Sequence, residues 1–364
     1  MADIKRKLAT IETVLSVSPI PDADLIEKIT IRGWNVVVKK GDFKVGDLVV
    51  YCEIDSVLPE IPAFEFLRSR GFRIRTIKLK NQISQGIVFS LDILDNFGDF
   101  VNVIGDPRWT SLLVPFGVET TGIPIVEGED LTDAMGVQKY EVPIPACLAG
   151  LMKGDFPSSF IKSDEIRIQN LVEEYEEMKK DVWIVTEKCD GSSASFYIDK
   201  DGVFGVTSRN IDLLETEGNT YWRVARKLDI EAKMRAIMAK KGINALTLQG
   251  ELLGEGIQGN KYKIKGQTIR LFNAFDQEKF KYFPYEEFLE MAKEIGVETV
   301  PIIDTDFSLP KNYEDLILYS DGRSALYDTA REGIVLVSKT QTDKNNGRVS
   351  FKVISNKFIL KNDA

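Results

Sequence analysis

Apolar and polar positions alternate in short runs over the first hundred residues. Ile29–Val38 (ITIRGWNVVV) and Leu48–Glu53 (LVVYCE) are rich in β-branched and aromatic residues. Lys39-Lys40-Gly41-Asp42 separates them, and Gly46-Asp47 supplies another turn before Leu48. Short strands punctuated this closely predict a small all-β barrel over residues 1 to about 105. Residues 106–150 carry Pro107, Pro115, Pro124, Pro143 and Pro145, a turn-rich crossing between domains.

Longer periods follow. Ile168, Leu171, Val172, Tyr175 and Met178 recur at helical spacing, predicting a helix from Asp164 to Lys180 capped by Ser163 or Asp164. Arg167 then falls in its first turn, an unfavourable place for a cation, which hints at an outside anion or an ion pair with Asp164 or Glu165. Val182–Val185 and Ala194–Ile198 read as strands, with a hairpin through Asp199-Lys200-Asp201-Gly202 and a return strand over Val203–Thr207. A single amphipathic helix is expected over Tyr221–Lys241, stopped by Gly242, and another over Pro284–Gly296. Leu246–Leu253, Ile269–Asp276, Ile334–Val337 and Arg348–Leu360 are strand-like. This mixture lacks regular βαβ alternation, so the expected class is α+β, with antiparallel sheets flanked by helices.

Bulk properties narrow the options. A chain of 364 residues suggests two domains, here 1–148 and 149–364. Hydrophobic content of 43% and charged content of 28% are ordinary for globular proteins. No stretch approaches the roughly 20 apolar residues that span a bilayer. The start, Met-Ala-Asp-Ile-Lys-Arg-Lys, lacks an apolar signal core, so an intracellular protein without membrane partners is expected. Cys52, Cys147 and Cys189 are too few and too scattered for a disulfide framework or a zinc site. The absence of histidine excludes triads and metal sites built on that residue. No G-x-G-x-x-G or Walker loop is present. A net charge of −9 does not announce a nucleic-acid binder, but phosphate contacts need local cations only.

One such local stretch is Arg68–Lys80 (RSRGFRIRTIKLK), which holds six cations, no acid, and Phe72. On a barrel, Arg73, Arg75, Lys78 and Lys80 could follow a sugar-phosphate backbone while an aromatic stacks a base. The alternative is a solvated strand face. A second stretch is Thr186-Glu187-Lys188-Cys189-Asp190-Gly191-Ser192-Ser193, lying between two strands. Its Lys-x-Asp-Gly spacing is that of enzymes that join a nucleotide to their own lysine. Lys188 would need its pKa lowered by neighbouring cations and desolvation to act as a nucleophile. Asp190 would hold a hydrated metal, and Gly191 would allow a tight turn and close approach of a ligand. Alone, these residues would be read as an exposed turn with a solvated lysine.

The remaining chain reverses that reading. Glu187, Lys188, Asp190, Arg209, Glu251, Glu332 and Lys352 stand at strand ends in a fixed order. In this order the chain resembles the ATP-dependent RNA ligases of the covalent nucleotidyltransferase superfamily, in the type with an OB domain first. Arg167 to Lys352 carries the matching motifs. Gly41–Tyr51 resembles the loop and strand of an OB-type barrel, and Lys139-Tyr140-Glu141 also fits. The resemblance implies that Lys188 takes AMP from ATP and that Glu187 accepts from the adenine amine. It implies that Arg209 contacts the ribose or phosphates, that Arg167 touches a phosphate, that Glu251 also lies near the ribose, and that Phe272 or Phe275 stacks on adenine. Asp190, Glu251 and Glu332 would hold hydrated Mg2+ or Mn2+, and Lys352 would meet the α-phosphate. The last motif departs from the family's Lys-x-Lys, reading Ser350-Phe351-Lys352, with Arg348 as a candidate substitute for the first lysine.

The implied reaction seals RNA with 3′-OH and 5′-phosphate ends, or a nick in an RNA/DNA hybrid, through lysyl-AMP and an adenylylated 5′-phosphate. A monomer is expected. DNA ligases and mRNA-capping guanylyltransferases share the lysine chemistry but normally place an OB domain last, whereas only Val353–Ala364 follows Lys352 here. A non-catalytic OB-type RNA-binding module with a decayed ligase domain is opposed by the intact Lys188, Asp190, Glu251 and Glu332.

Overall fold

The computed structural model describes residues 6–97, 100–101, 123–144, 146–340 and 348–362. Apart from the extreme termini, the chain divides into two compact units between Val142 and Pro143. The sequence reading set the boundary after residue 148. Pro107, Pro115 and Pro145 of the expected crossing lie outside the described residues.

In the smaller unit, β1 (Ala9–Pro19), β2 (Ile26–Ile31), β3 (Trp34–Lys39) and β4 (Leu48–Cys52) precede a small hairpin, β5 (Ile77–Leu79) and β6 (Gln82–Ser84), and then β7 (Ile87–Phe89). Five of them form one antiparallel sheet in the order β3-β2-β1-β4-β7. The run Ile29–Val38 is therefore two strands. Arg32 adopts a left-handed φ of 49°, which folds the chain back and pairs Ile31 with Trp34. Alternation along the strands sends Ile11, Ile29, Trp34, Val36 and Val49 into one core.

The basic stretch is not a single strand face. It begins in a 3-10 helix, Pro62–Arg70, turns at Gly71, and reaches β5 only at Ile77. Phe72, expected as a stacking aromatic, is 3% exposed and packs in the core.

The larger unit contains β8 (Met152–Asp155), β9 (Ile166–Arg167), β10 (Trp183–Lys188), β11 (Ser192–Ile198), β12 (Phe204–Thr207), β13 (Ile211–Leu213), helices α1 (Thr220–Lys227) and α2 (Ile230–Lys241), β14 (Leu246–Gly254), β15 (Gln267–Asp276) and β16 (Lys281–Tyr282). Then come α3 (Tyr285–Ile295), β17 (Ile302–Phe307), α4 (Tyr313–Ser320), β18 (Gly333–Ser338) and β19 (Ser350–Ile354). Two sheets result, β8-β13-β12-β11-β14-β15-β16 and β9-β19-β18-β10-β17. Apolar residues of α1, α2 and α3 share a core with the first sheet. Those of α4 and of Ile168–Met178 share one with the second. The class is α+β, as the irregular element order implied.

Two helix expectations are corrected. Asp164–Lys180 is not a helix: Ile166–Arg167 is a strand, Ile168–Asn170 one 3-10 turn, and Tyr175–Met178 one α turn. Ile168, Leu171, Tyr175 and Met178 still bury together, so the apolar spacing was real. The sheet claims the backbone, because Arg167 pairs in parallel with Lys352. The helix expected over Tyr221–Lys241 breaks at Asp229, whose φ is 53°. Its inward positions change phase there, from Trp222 and Ala225 to Ile230, Met234 and Ile237, and a straight helix could not bury both sets. The third expectation holds: α3 starts after Pro284 and ends at a left-handed Gly296, whose N–H caps Ala292 and Lys293.

Candidate active site

Lys188 is the last residue of β10, opposite Gly333 at the start of β18. Glu332 immediately precedes that glycine, so the antiparallel register brings it to the lysine. Lys188 Nζ donates to Glu332 Oε1 at 2.6 Å. Alternation places Lys188 on the face of Ile184, away from Trp183 and Val185. A Cβ on Gly333 would meet the Val353 carbonyl at 2.2 Å, so only glycine lets β18 and β19 close beside Lys188.

Glu251 lies on β14 opposite Ser193 of β11. The Gly191 N–H donates to its carboxylate. Gly191 does not take a positive φ; it is needed because an added Cβ would meet Leu252 O at 2.4 Å and Glu251 Cγ at 2.8 Å. The close approach expected of a ligand at this glycine is made by β14 itself. Burial pushes the Glu251 carboxyl up to about 8, with Lys188 opposing and Glu332 and Asp190 reinforcing. For Lys188, burial pulls the pKa down, but Glu332, Glu251 and Asp190 outweigh it and leave it raised. The expectation of a lysine already depressed by cations is thus reversed: its near neighbours are carboxylates.

Asp190 is fixed from the β14–β15 loop. Its backbone N–H donates to Tyr262 Oη at 2.7 Å, and Lys261 Nζ lies 2.5 Å from its Oδ2. Asp190, Glu251 and Glu332 therefore all face Lys188, with ammonium groups among them. Among the described residues, no group of three acidic, Cys or His side chains stands close enough to ligate one metal ion directly. The set suits a hydrated cation held through water.

Glu187 points from the other face of β10 and is 2% exposed. Its Oε2 accepts from the Ala325 N–H at 2.8 Å, while its Oε1 is buried without a hydrogen bond. Burial raises its pKa against the hydrogen bonds from Ser324 and Ala325. An orphaned buried acceptor is a group that calls for a donor.

The two phenylalanines separate. The β14–β15 register runs from Gln249 opposite Asn273 to Gly250 opposite Leu271, so Phe272 is the bulged residue. It is half-buried against the cluster of Cys189, Leu253, Tyr262 and Val300. Phe275 is fully buried and packs edge-on against Phe280 and Tyr282.

A third group joins the β12–β13 turn of the first sheet to the second sheet. Asp164 binds Lys352 Nζ at 2.8 Å and Arg209 Nη2 at 3.1 Å. The parallel β9–β19 pairing sets Arg167 beside Lys352. Burial lowers the Lys352 pKa against Asp164, and the Arg167 and Lys188 cations lower it further. Arg348 pairs with Glu165 at 2.6 Å, donates from Nε to Ser350 Oγ at 3.2 Å, and stacks on Tyr282. Its guanidinium thus reaches position 350, where the family's first lysine is absent, but is held there by Glu165.

Of the four proposed RNA contacts in the smaller unit, Arg73 is engaged, binding Asp55 at 2.7 Å and lying over Tyr140. Arg75, Lys78 and Lys80 are exposed. Lys80 and Asn81, with φ of 48° and 63°, form the β5–β6 turn.

Sequence reasoning missed Lys261, Tyr262 and the loop residues Ser324 and Ala325, and it read Asp164 and Glu165 only as a cap and an ion-pair partner. The alternating lysines of Lys261-Tyr262-Lys263-Ile264-Lys265 between glycines were the available signal for the first two.

An OB-fold domain model matches residues 8–91, and an RNA ligase model matches residues 181–354. No curated protein matches. Solved structures of Naegleria gruberi RNA ligase are similar over almost the whole chain. A mutant apo form is 35% identical, covers 98% of both chains and has a TM-score of 0.77. A mutant with AMP and Mn is 35% identical, with 98% of this chain and 99% of that chain covered and a TM-score of 0.77. The form with PPi is 36% identical over 98% and 99%, with a TM-score of 0.76.

Proposed function

Because the chain belongs to the ATP-dependent RNA ligase family, we propose that it seals RNA through AMP carried on Lys188. The observation that carries this is the convergence of Glu332, Glu251 and Asp190 on that one amine. The relative has been solved with ATP and Mn, with AMP and Mn, and with PPi, which supports ATP and a divalent cation as reactants here.

In the first step the Lys188 amine, having lost its proton, attacks the α-phosphorus; the bond to the β-phosphate oxygen breaks and pyrophosphate leaves. AMP then passes to a 5′-phosphate, and a 3′-hydroxyl displaces it. Each step is an in-line displacement, so positioning and charge neutralisation dominate. Glu187 Oε1 accepts from the adenine amine, and the ring stacks on Phe272 rather than on the enclosed Phe275. Lys352, Arg167 and Arg209 draw the phosphates to the second sheet, with Asp164 releasing its cations to them. Mg2+ or Mn2+, held through water by Asp190, Glu251 and Glu332, would neutralise non-bridging oxygens and loosen the carboxylates' hold on the lysine proton.

Arg75, Lys78 and Lys80 serve the RNA backbone. The working form is a monomer acting on 3′-OH and 5′-phosphate ends, those at an RNA/DNA hybrid nick included. Denaturing the protein after incubation with α-labelled ATP and Mg2+ or Mn2+ tests the covalent step. Label on the wild type and none on Lys188→Ala is expected; an unlabelled wild type under every metal condition defeats the reading. RNA and DNA nicks offered in parallel test the substrate.

A further inference from the structure

The β14–β15 loop is built to hold one cation in place. Gln258, Asn260 and Lys263 take left-handed φ of 43°, 45° and 49°, and Gly256, Gly259 and Gly266 are left-handed as well. Such backbone is strained for non-glycine residues and persists only where the surroundings fix it. Here Asn260 fixes it: its Nδ2 donates to Ile264 O at 2.9 Å, and its Oδ1 accepts from Ile264 N at 3.0 Å. Tyr262, 4% exposed, fastens the loop to the Lys188–Asp190 turn through the Asp190 N–H. Lys261 is thereby delivered to Asp190, its ammonium 2.5 Å from Oδ2 and 4.2 Å from the Phe358 ring centroid.

Around Lys188, two ion pairs, Lys188–Glu332 and Lys261–Asp190, stand beside Glu251, whose carboxyl burial pushes up to about 8. A cation that approaches Asp190 must therefore work against an ammonium already seated there.

We propose that Lys261 is a built-in counter-ion that competes with the divalent cation for Asp190 and so sets the metal concentration at which the enzyme works. This rests on the reading that Asp190 helps hold that cation through water. Lys261 is a positioning residue in this scheme: it acts on the site's charge and leaves the bonds to Lys188. The fastened loop keeps the competition local, since the ammonium is tethered next to the carboxylate it guards.

The experiment uses the full chain. Mn2+ binding is followed by the electron paramagnetic resonance signal of the free ion without nucleotide, and the Mn2+ concentration for half-maximal self-labelling by α-labelled ATP is measured alongside. Lys261→Met keeps the stem over Phe358 and removes the charge. It should lower both metal concentrations roughly tenfold, as loss of a unit charge beside the site implies, while labelling at saturating Mn2+ stays at the wild-type level. Lys261→Arg should restore the wild-type values, and Lys261→Gln should repeat the Met result with a different side-chain shape. Unchanged or weaker metal dependence in both neutral variants overturns the competition. If Asp190→Asn also leaves Mn2+ dependence untouched, the metal reading of Asp190 falls with it, whereas loss of metal response in that variant alone leaves that reading standing.

Discussion

The cations of the larger unit and those of the smaller one live under opposite conditions. In the larger unit five cations lean on carboxylates: Lys188 on Glu332, Lys261 on Asp190, Lys352 and Arg209 on Asp164, Arg348 on Glu165. On the β5–β6 hairpin and the approach to it, Arg75, Lys78 and Lys80 stand exposed, and none is in an ion pair among the described residues. The difference separates two tasks. Reaction at one phosphorus, as proposed for Lys188, needs charges oriented beforehand, and paired acids hold these cations in place. Holding a polymer needs charges in water, where each contact adds through released counterions and is weakened by salt.

The comparison breaks most visibly at Lys188. Replacing it by alanine should cut covalent labelling by roughly a thousandfold or more, because the proposed phosphorus–nitrogen bond forms on that amine; retained label would move the chemistry elsewhere. Next comes Gly191→Ala. Its methyl cannot fit against Leu252 O and Glu251 Cγ, so chemical denaturation should show a loss of about 1–3 kcal/mol, accompanied by weaker labelling as Glu251 shifts.

The phenylalanines sharpen the contrast within the larger unit. Phe275→Ala should cost about 3–5 kcal/mol of stability as a core truncation. Phe272→Ala, at a half-buried position, should cost less stability than that and raise the KM for ATP, by the equivalent of about 1–3 kcal/mol of stacking. Reversed outcomes would exchange their roles. A smaller effect is expected from the joint replacement of Arg75, Lys78 and Lys80 by alanine. Sealing should weaken, its salt dependence should flatten by about two units of slope, and self-labelling should not change. Equal losses in both assays would contradict a role in holding RNA.

The smallest concerns Cys52. Burial pushes its thiol from 9.0 to about 12. The folded state therefore favours the protonated form, and its contribution to stability is complete below pH 9 and lost as pH climbs toward 12. A thiol reagent at pH 8 should leave Cys52 unmodified until the chain unfolds; rapid modification of the native protein would contradict this burial.

Much of this was readable in residue order. The motif around Lys188, the later Glu251, Glu332 and Lys352, and the ends of α3 at Pro284 and Gly296 are local signals, set by chemistry or backbone preference at single positions. The failures share a cause. Asp164–Lys180 carried a helical period, but its first residues were taken by β19, a strand almost two hundred positions away. Phe72 looked exposed because its neighbours are charged, yet the left-handed turn at Gly71 and Phe72 turns the ring inward. Lys261 was missed in the sequence; the fastened loop sets it on Asp190.

By itself, residue order determined the reaction class and the α+β character and pointed to Lys188 as the candidate amine, since these depend on which side chains exist and in what succession. Tertiary structure alone decided which phenylalanine is enclosed in the core, why Gly191 and Gly333 cannot carry a side chain, and which acid holds which cation. Those outcomes turn on bulges, strand registers and approaches of a few ångströms between distant segments, and no local pattern along the chain encodes such distances.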